Sequence, residues 1–383
     1  MKNYDVIIIG AGSVGTPLAY NLAGERLRVL VLEALPSPGQ GENKRAIGGI
    51  RATHSDRAKI KICQKSIDIF SHWKEETGDE IEWKANGYSF PAYTDAAETT
   101  FKKLLVTQKE FGLNINWLSA HEYRALVPHI NPEGLRGGTF SPNDGSASPL
   151  LTVNSFYFKA RERGAEFHFR EKVEAISVVS GKVTAVKTDK GEYSAPLVVN
   201  AAGSYAKDIG AMVGVDVPVK SDCHEGGISA PVAPFLGPMV VDMRAEPGSK
   251  NYYFYQHATG QIVFCITPDP PIWGIDDKHT SVFLPQVAKR MVKLMPILQN
   301  IEIRRTWRGM YPMTPDGFPI VGRVKNVDGF YNLAGMCGQG FMLGPGMGYY
   351  VSKDIVGTIE PGDKEILGDL TLYREFTGQE AFK

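Results

Sequence analysis

The sequence predicts an α/β fold that opens with a dinucleotide-binding βαβ unit, and three observations near the N-terminus support it. The run 6–9 is continuously β-branched, which is typical of a strand buried on both faces. The glycine-rich segment 10–15 follows at once, and a helix-like stretch covers 16–24. A second apolar run, 28–32, ends beside Glu33. Strand, glycines, helix, strand and acid therefore occur in the order of the dinucleotide-binding fingerprint.

Each glycine of this segment has a predicted physical task. Gly10 permits the tight turn, Gly12 lets the backbone approach a pyrophosphate, and Gly15 lets the helix pack closely on the strand. The helix N-terminus, with Ser13 and Val14, offers free N–H groups and a positive dipole end to phosphates. We therefore predict that these residues bind a cofactor.

Glu33 is placed to accept hydrogen bonds from a ribose diol. The alternative for the whole segment is an ordinary tight turn between a strand and a helix. The motif alone does not separate FAD from NAD.

A second glycine-rich segment, 39–51, is basic and of the kind that wraps a pyrophosphate; it contains Arg45 and Gly49. Taken alone, the segment is more typical of a mobile surface loop. A helix is predicted over about 56–76, with Cys63 on its apolar stripe.

The middle of the chain alternates between strands and helices. Short strands and loops mixed with helices are predicted over 83–144, where Asn86 and Gly87 resemble a hairpin turn, and a helix is predicted over 151–163. Strands follow over 167–186, including Val173. A buried strand then ends in Ala202 and Gly203, whose small size lets the backbone pass close to a flat cofactor.

The last third begins with a β-rich unit over 217–266 that contains the aromatic strand 252–255. Helical periodicity returns over 284–298. A strand is predicted at 330–334, followed by a glycine-rich segment, 335–346, and a helix to about Val356.

Composition limits the functional class. The 383 residues allow about two to three structural units. With 42 basic and 42 acidic residues the net charge is zero, which argues against a nucleic-acid binder. The four cysteines form no CxxC pair, so we expect no zinc knuckle, no other metal site and no dithiol motif.

Few cysteines, a short N-terminal apolar run and no stretch near the ~20 residues of a membrane span predict a cytoplasmic protein. Peripheral attachment to a membrane complex remains an alternative.

Several segments together resemble the D-amino-acid oxidase superfamily of FAD-dependent oxidoreductases. Within it, the chain is most similar to the β subunit of dye-linked L-proline dehydrogenases and to sarcosine oxidase β-subunit and glycine oxidase relatives. The matching segments are DVIIIGAGSVG with Glu33, GGIR ending at Arg51, VVNAAGSYA at 198–206, RTWRGMYPMTPDGFPIVGR at 305–323 and YNLAGMCGQGFMLGPGMG at 331–348.

The resemblance implies a Rossmann-like FAD-binding domain of the glutathione-reductase type and a substrate-binding domain with a mixed sheet. We place the first at 1–82, 145–216 and 305–383, and the second at 83–144 and 217–304.

The implied reaction is oxidation of the C–N bond of an amino acid, a secondary amine such as proline, hydroxyproline or sarcosine, by hydride transfer to flavin N5. Electrons would pass to a dye or to electron-transfer subunits of a hetero-oligomer. The alternatives are a free-standing oxidase that makes hydrogen peroxide, a non-catalytic flavoprotein subunit and a NAD-dependent dehydrogenase. The last is disfavoured because it leaves the C-terminal glycine-rich segment without a task.

Three residues are predicted to act on the substrate. Arg51 follows the GGI loop, where family members place a substrate-facing arginine, and its planar fork suits a carboxylate. His224 and Tyr253 match a histidine and a tyrosine near the substrate in proline dehydrogenase relatives. The alternatives are a pyrophosphate contact or salt bridge for Arg51, a hydrogen-bonded sheet histidine for His224, and a core position for Tyr253.

The C-terminal glycine-rich segment is predicted to hold the flavin. Backbone N–H groups at Gly338, Gln339 and Gly340 would stabilise negative charge at the N1–C2 edge of the reduced ring. Phe341 and Met342 would line the pocket.

Differences from relatives refine the prediction. Cys337 does not match the covalent flavin cysteine of monomeric sarcosine oxidase, so the resemblance implies non-covalent FAD. Met342 replaces a lysine of those enzymes, and Tyr311 an arginine of glycine oxidases, which makes sarcosine and glycine less favoured. The strand 261–266 lacks the lysine that oxidases often carry near the flavin, which favours a dehydrogenase.

Overall fold

The structure is a computed structural model that describes residues 2–377. It confirms the predicted α/β fold: helices cover one large sheet, and a second large sheet is mostly antiparallel. The strands are β1 Lys2–Asn3, β2 Val6–Ile9, β3 Val29–Glu33, β4 Gly49–Ile50, β5 Tyr88–Ala92, β6 Asn116–Ser119, β7 Gly137–Ser141, β8 Gly145–Ser146, β9 Glu166–Phe169, β10 Val173–Val179, β11 Lys182–Thr188, β12 Glu192–Ser194, β13 Val198–Asn200, β14 Lys220–Pro231, β15 Met239–Asp242, β16 Ser249–Gln256, β17 Gln261–Pro268, β18 Ile303–Met313, β19 Ile320–Arg323 and β20 Phe330–Ala334.

The helices alternate with these strands along the chain. They are α1 Gly15–Gly24, α2 Arg57–Thr77, α3 Asp95–Glu110, α4 Ala120–Leu126, α5 Pro149–Glu162, α6 Ala206–Ala211, α7 Phe283–Leu294, α8 Gly340–Val356 and α9 Pro361–Gly368, with short 3-10 turns at Asn43–Arg45, Gly203–Tyr205 and Pro296–Asn300.

A six-stranded sheet in the order β19-β20-β13-β2-β3-β9 contains the N-terminal βαβ unit. Its strands β20, β13, β2, β3 and β9 run parallel, so the carboxyl ends of β2, β3 and β13 meet at one edge. Helices α1, α2, α5 and α8 pack against one another in this part of the molecule. The fully buried runs of β2 and β13 are what a sheet covered on both faces requires.

An eight-stranded sheet in the order β18-β14-β17-β16-β15-β5-β7-β6 forms the second half. All neighbouring strands in it are antiparallel except β15 and β5. Helix α7 packs on this sheet and buries Val287 and Leu294 against a core that includes Tyr252, Phe254 and Phe264.

Local signals fix the ends of α2. Asp56 is the N-cap and accepts hydrogen bonds from the N–H groups of Ala58 (2.9 Å) and Lys59 (3.2 Å). Gly78 ends the helix in the left-handed conformation, with φ of 79°. The predicted span 56–76 therefore differs from the observed one by a single residue at each end.

One feature differs from the sequence-based expectation. Asn86 and Gly87 do not join two paired strands, because Lys84 bridges to Ser146 and Tyr88 pairs with Ser141. The hairpin prediction was wrong, since both flanks of the turn pair with a segment more than fifty residues away. The division into domains stays a prediction, but β18 crosses its boundary at 304/305 and joins the eight-stranded sheet.

Candidate active site

A cavity of about 1830 Å³ receives residues from both large sheets. Every residue predicted to bind cofactor or substrate lines it, except Gly15. The predicted residues brought together here are Gly10, Gly12, Ser13, Val14, Glu33, Arg45, Gly49, Arg51, Val173, Ala202, Gly203, His224, Tyr253, Gly338, Gln339, Gly340, Phe341 and Met342.

The glycine loop after β2 has the backbone geometry of a close approach. Gly10 adopts φ of 111°, and a Cβ there would lie 2.5 Å from the carbonyl oxygen of Ala201. A Cβ at Gly12 would meet no atom of residues 2–377 within 4 Å. Gly15 packs α1 on the loop, since its Cβ would lie 2.0 Å from the carbonyl oxygen of Gly10. The loop therefore presents bare backbone to the cavity at Gly12.

Glu33 joins the ends of β2 and β3. Its Oε2 accepts a hydrogen bond from the Ala11 N–H at 2.8 Å, and its Oε1 accepts one from Leu35 at 2.9 Å. Burial raises the pKa of Glu33, although these backbone N–H groups oppose the shift. The carboxylate thus supports the glycine loop, in addition to the predicted contact with a ribose.

The loop 337–340 also lines the cavity, and a Cβ at Gly340 would lie 3.2 Å from the hydroxyl of Ser13 in the glycine loop after β2. Cys337 has a positive φ of 52°, and its buried thiol donates to the carbonyl of Gly335 at 3.1 Å. Gly338 packs flat on Tyr311, since a Cβ there would lie 2.2 Å from the ring. The side-chain Oε1 of Gln339 is buried and accepts no hydrogen bond from residues 2–377.

These observations fit a bound dinucleotide. A buried acceptor at the wall of the cavity is what a ligand with N–H or O–H donors would satisfy. The open backbone at Gly12 fits the approach of phosphates beside the start of α1.

Arg45 reaches the cavity already paired with carboxylates. Its Nη1 lies 3.1 Å from Glu42 Oε1, and its Nη2 lies 2.9 Å from Asp277 Oδ2. The indole N–H of Trp307 donates to its carbonyl oxygen at 2.8 Å. Arg45 therefore tethers the loop 39–51 to β18 and to the segment between β17 and α7.

Arg51 is buried, with 7% exposure, at the end of β4. Its Nη1 donates to the carbonyl of Thr53 and lies 3.2 Å from His54 Nδ1. Asp144 underlies the same turn, accepting from the Ala52 N–H at 2.9 Å and the Thr53 hydroxyl at 2.6 Å. Arg51 is thus held by its own loop at the cavity wall.

Three side chains on the eight-stranded sheet, His224, Tyr311 and Tyr253, contact one another and form a polar array. Its ring stacks on Tyr311 with centroids 3.8 Å apart and planes inclined by 19°. The hydroxyls of Tyr311 and Tyr253 are 2.6 Å apart. Burial, together with Cys265 and Tyr311, raises the pKa of Tyr253 well above its ordinary value, so the phenol stays neutral.

Sequence reasoning missed Asp222. Its Oδ2 lies 3.1 Å from His224 Nε2, and the residue is 5% exposed. Period-two geometry on a strand would have found it, because residues two apart share a face. Lys250 of β16 also lines the cavity and was not predicted, because it lies outside the strand 261–266, where a lysine near the flavin was expected.

Comparison with known proteins places the chain in a family. Residues 5–353 match the model of the family described as DAO, FAD dependent oxidoreductase. The chain belongs to this family, as the resemblance predicted.

Individual relatives are 27% to 30% identical to it over the aligned residues. Mitochondrial sarcosine dehydrogenase of Mus musculus is 27% identical over 92% of this chain, which spans only 39% of that protein. Glycine oxidase of Geobacillus kaustophilus is 27% identical over 91% of this chain and 92% of its own. The crystal structure of L-proline dehydrogenase from P. horikoshii superposes with a TM-score of 0.89 at 30% identity, covering 94% and 95% of the two chains.

Two features are absent from residues 2–377. No helix within them is long and apolar enough to cross a bilayer. Nor do they contain a group of three or more His, Cys, Asp or Glu residues that could hold a metal ion.

Proposed function

We propose that this chain catalyses the FAD-dependent oxidation of the C–N bond of an amino acid, with a secondary amine as substrate. Relatives named for sarcosine, glycine and L-proline all act on an α-amino acid, and two of these three are secondary amines. Proline, hydroxyproline and sarcosine are the substrates to test first.

One observation carries the proposal: the predicted cofactor loops and the polar array share one cavity, and the array touches the loop assigned to the flavin. Tyr311 lies flat on Gly338, while His224 stacks on Tyr311 and Tyr253 contacts its hydroxyl. A substrate held against these side chains would lie beside the cofactor loop.

The protein residues would bind the substrate and manage its proton. Arg51 would bind the carboxylate through the donors of its guanidinium. His224 would take the ammonium proton, because an amine must be neutral before it can give up a hydride from the adjacent carbon. Tyr253, kept neutral by burial, would cover the ligand and donate or accept a hydrogen bond.

FAD, held without a covalent bond by the loops at Gly12, Gly203 and Gly338, would supply the electron acceptor when bound. The shared role of the loops is binding and orientation, and that of Gln339 is to satisfy a polar group of the cofactor.

We propose that the protein is a cytoplasmic dehydrogenase that passes electrons to a dye or to partner subunits. The oxidase alternative stays open because of one observation: Lys250 of β16 lines the cavity. A cation there could assist the reduction of oxygen in place of the lysine missing from 261–266.

Two assays of the purified protein distinguish a dehydrogenase from an oxidase. Dye reduction with proline, hydroxyproline, sarcosine and glycine measures amine oxidation, and peroxide release measures use of oxygen. We expect dye reduction with a secondary amine and little peroxide. Peroxide release as fast as dye reduction would favour the oxidase, and no reaction with any amine would contradict the proposal.

A further inference from the structure

Asp222 makes two contacts that tie the polar array to the segment 269–280 between β17 and α7. Its Oδ2 lies 3.1 Å from Nε2 of His224. Its Oδ1 accepts a hydrogen bond from the Ile272 N–H at 2.7 Å. Residues Trp273 and Lys278 of that segment also line the cavity. Asp222 therefore connects the array to a wall of the site.

The charge of Asp222 decides which nitrogen of His224 carries the proton. Burial alone would raise the pKa of Asp222, but the hydrogen bonds from His224 and from the Ile272 N–H, and the charge of Lys250, leave the pKa below its ordinary value. An ionised carboxylate only accepts hydrogen bonds. Nε2 must therefore be the donor, which makes Nδ1 the basic nitrogen of the neutral ring.

Packing holds the same ring in place. The stack on Tyr311 fixes its plane, and the hydrogen bond to Asp222 fixes its rotation within that plane. The other charged or titratable groups near the pair come from several elements. They are Lys250 on β16, Tyr253 on β16, Tyr311 on β18, and Asp276, Asp277 and Lys278 on the segment before α7.

We propose that Asp222 is a positioning residue, which holds His224 in the tautomer protonated on Nε2 and keeps Nδ1 as its proton acceptor. The consequence for catalysis rests on the proposed function; the tautomer itself does not. A carboxylate that orients a histidine is a recurring device in enzymes that move protons.

The tautomer can be measured without turnover. In the purified protein labelled with ¹⁵N-histidine, at alkaline pH where the imidazole is neutral, we expect the His224 resonance to show the proton on Nε2. The His224→Gln variant identifies the resonance. A wild-type His224 protonated on Nδ1 would overturn the proposal, whatever the enzyme turns out to oxidise.

Kinetic measurements test whether this tautomer matters for catalysis. In D222N the amide oxygen can still accept from Ile272, but its NH₂ group opposes Nε2 and favours the other tautomer. We expect turnover at neutral pH to fall at least about tenfold, as for loss of a positioned proton acceptor. The acidic limb of the rate profile should move to lower pH, because a neighbouring carboxylate favours the protonated ring.

Glu225→Gln is the matched control. Glu225 lies on the same strand, is also buried, and accepts hydrogen bonds from the N–H (2.9 Å) and hydroxyl (2.8 Å) of Thr280 at the end of the same segment. It is not among the residues that line the cavity. We expect E225Q to keep the wild-type rate and pH profile.

Flavin absorbance and melting temperature show whether each variant is folded. If folded D222N keeps wild-type turnover and an unchanged pH profile, Asp222 does not act in catalysis through His224. An inactive wild-type protein would instead contradict the proposed function.

Discussion

Arg51 contributes to the fold and, in the proposed function, also binds the substrate. Its Nη1 donates a hydrogen bond to the carbonyl oxygen of Thr53 and lies beside His54, so the loop fixes the orientation of the guanidinium before a ligand binds. A carboxylate that reaches such a buried arginine meets a charge that needs little reorganisation to bind it.

Replacing Arg51 by Met should weaken binding of the substrate carboxylate by about 1.5–3 kcal/mol, the range for a hydrogen bond to a charged group. That loss corresponds to a rise of about 10- to 150-fold in the dissociation constant. Titration of the flavin spectrum with a non-reacting carboxylate inhibitor measures it.

Arg136→Met is the control, since Arg136 forms surface ion pairs with Asp95 and Glu98. We expect inhibitor affinity in that variant to match the wild type. Unchanged affinity in R51M would remove Arg51 from the binding site.

Among single residues, the sequence could predict those whose structural role depends only on neighbouring residues in the chain. Gly10, Gly15 and Glu33 could be found because a strand, a turn and a helix contiguous in the chain define their geometry. Asp144 could not, because it supports the turn at Ala52 from about ninety residues away along the chain. Such pairings depend on tertiary folding, which no short motif records.

Helix α8 shows why an element needs small residues. It packs against α1 and α2, and a Cβ at Gly344 would lie 1.9 Å from the carbonyl oxygen of Ser13. A Cβ at Gly346 would lie 2.2 Å from the carbonyl of Ile62. Backbone atoms cannot turn aside as side chains can, so this face has no room for a methyl group.

Gly344→Ala should therefore push α8 away from the glycine loop after β2. We expect a loss of about 1–3 kcal/mol in the free energy of unfolding, the usual cost of overpacking, together with weaker retention of FAD. Thermal melts and the ratio of flavin to protein absorbance measure the two effects.

Gly362→Ala in α9 is the control for that substitution. A Cβ there would meet no atom of residues 2–377 within 4 Å, so we expect normal stability and flavin content. Equal behaviour of the two variants would contradict the packing argument.

The prediction of secondary structure succeeded for α2, where apolar residues recur at helical spacing and Asp56 and Gly78 cap the two ends. It failed at Asn86 and Gly87, where a turn sequence was read as a hairpin although its flanks pair with 141–146. The order of the eight-stranded sheet could not be predicted either. Its neighbours β18 and β14 lie about eighty residues apart, and strand order depends on contacts across that distance.

At the scale of the whole molecule, buried charge links stability to pH. Burial raises the pKa of Asp144 to about 6, although hydrogen bonds from Ala52 and Thr53 and the charge of Arg51 oppose the shift. The folded protein therefore keeps this proton over a pH range, from about 4 to 6, in which the unfolded chain has lost it.

Stability relative to the Asp144→Asn variant should accordingly fall as the pH rises through that range. The slope should reach at most about 1.4 kcal/mol per pH unit, since one proton is involved. Urea unfolding of both proteins at several pH values measures the difference. A difference that stays constant, or that grows with pH, would contradict the argument.

The central claim is that this cavity oxidises an amino acid at its C–N bond. The most direct measurement is an anaerobic absorbance scan of the purified protein with proline, hydroxyproline, sarcosine and glycine. We predict a yellow protein whose flavin band is lost with a secondary amine. A yellow protein that keeps this band with every amine would contradict the claim.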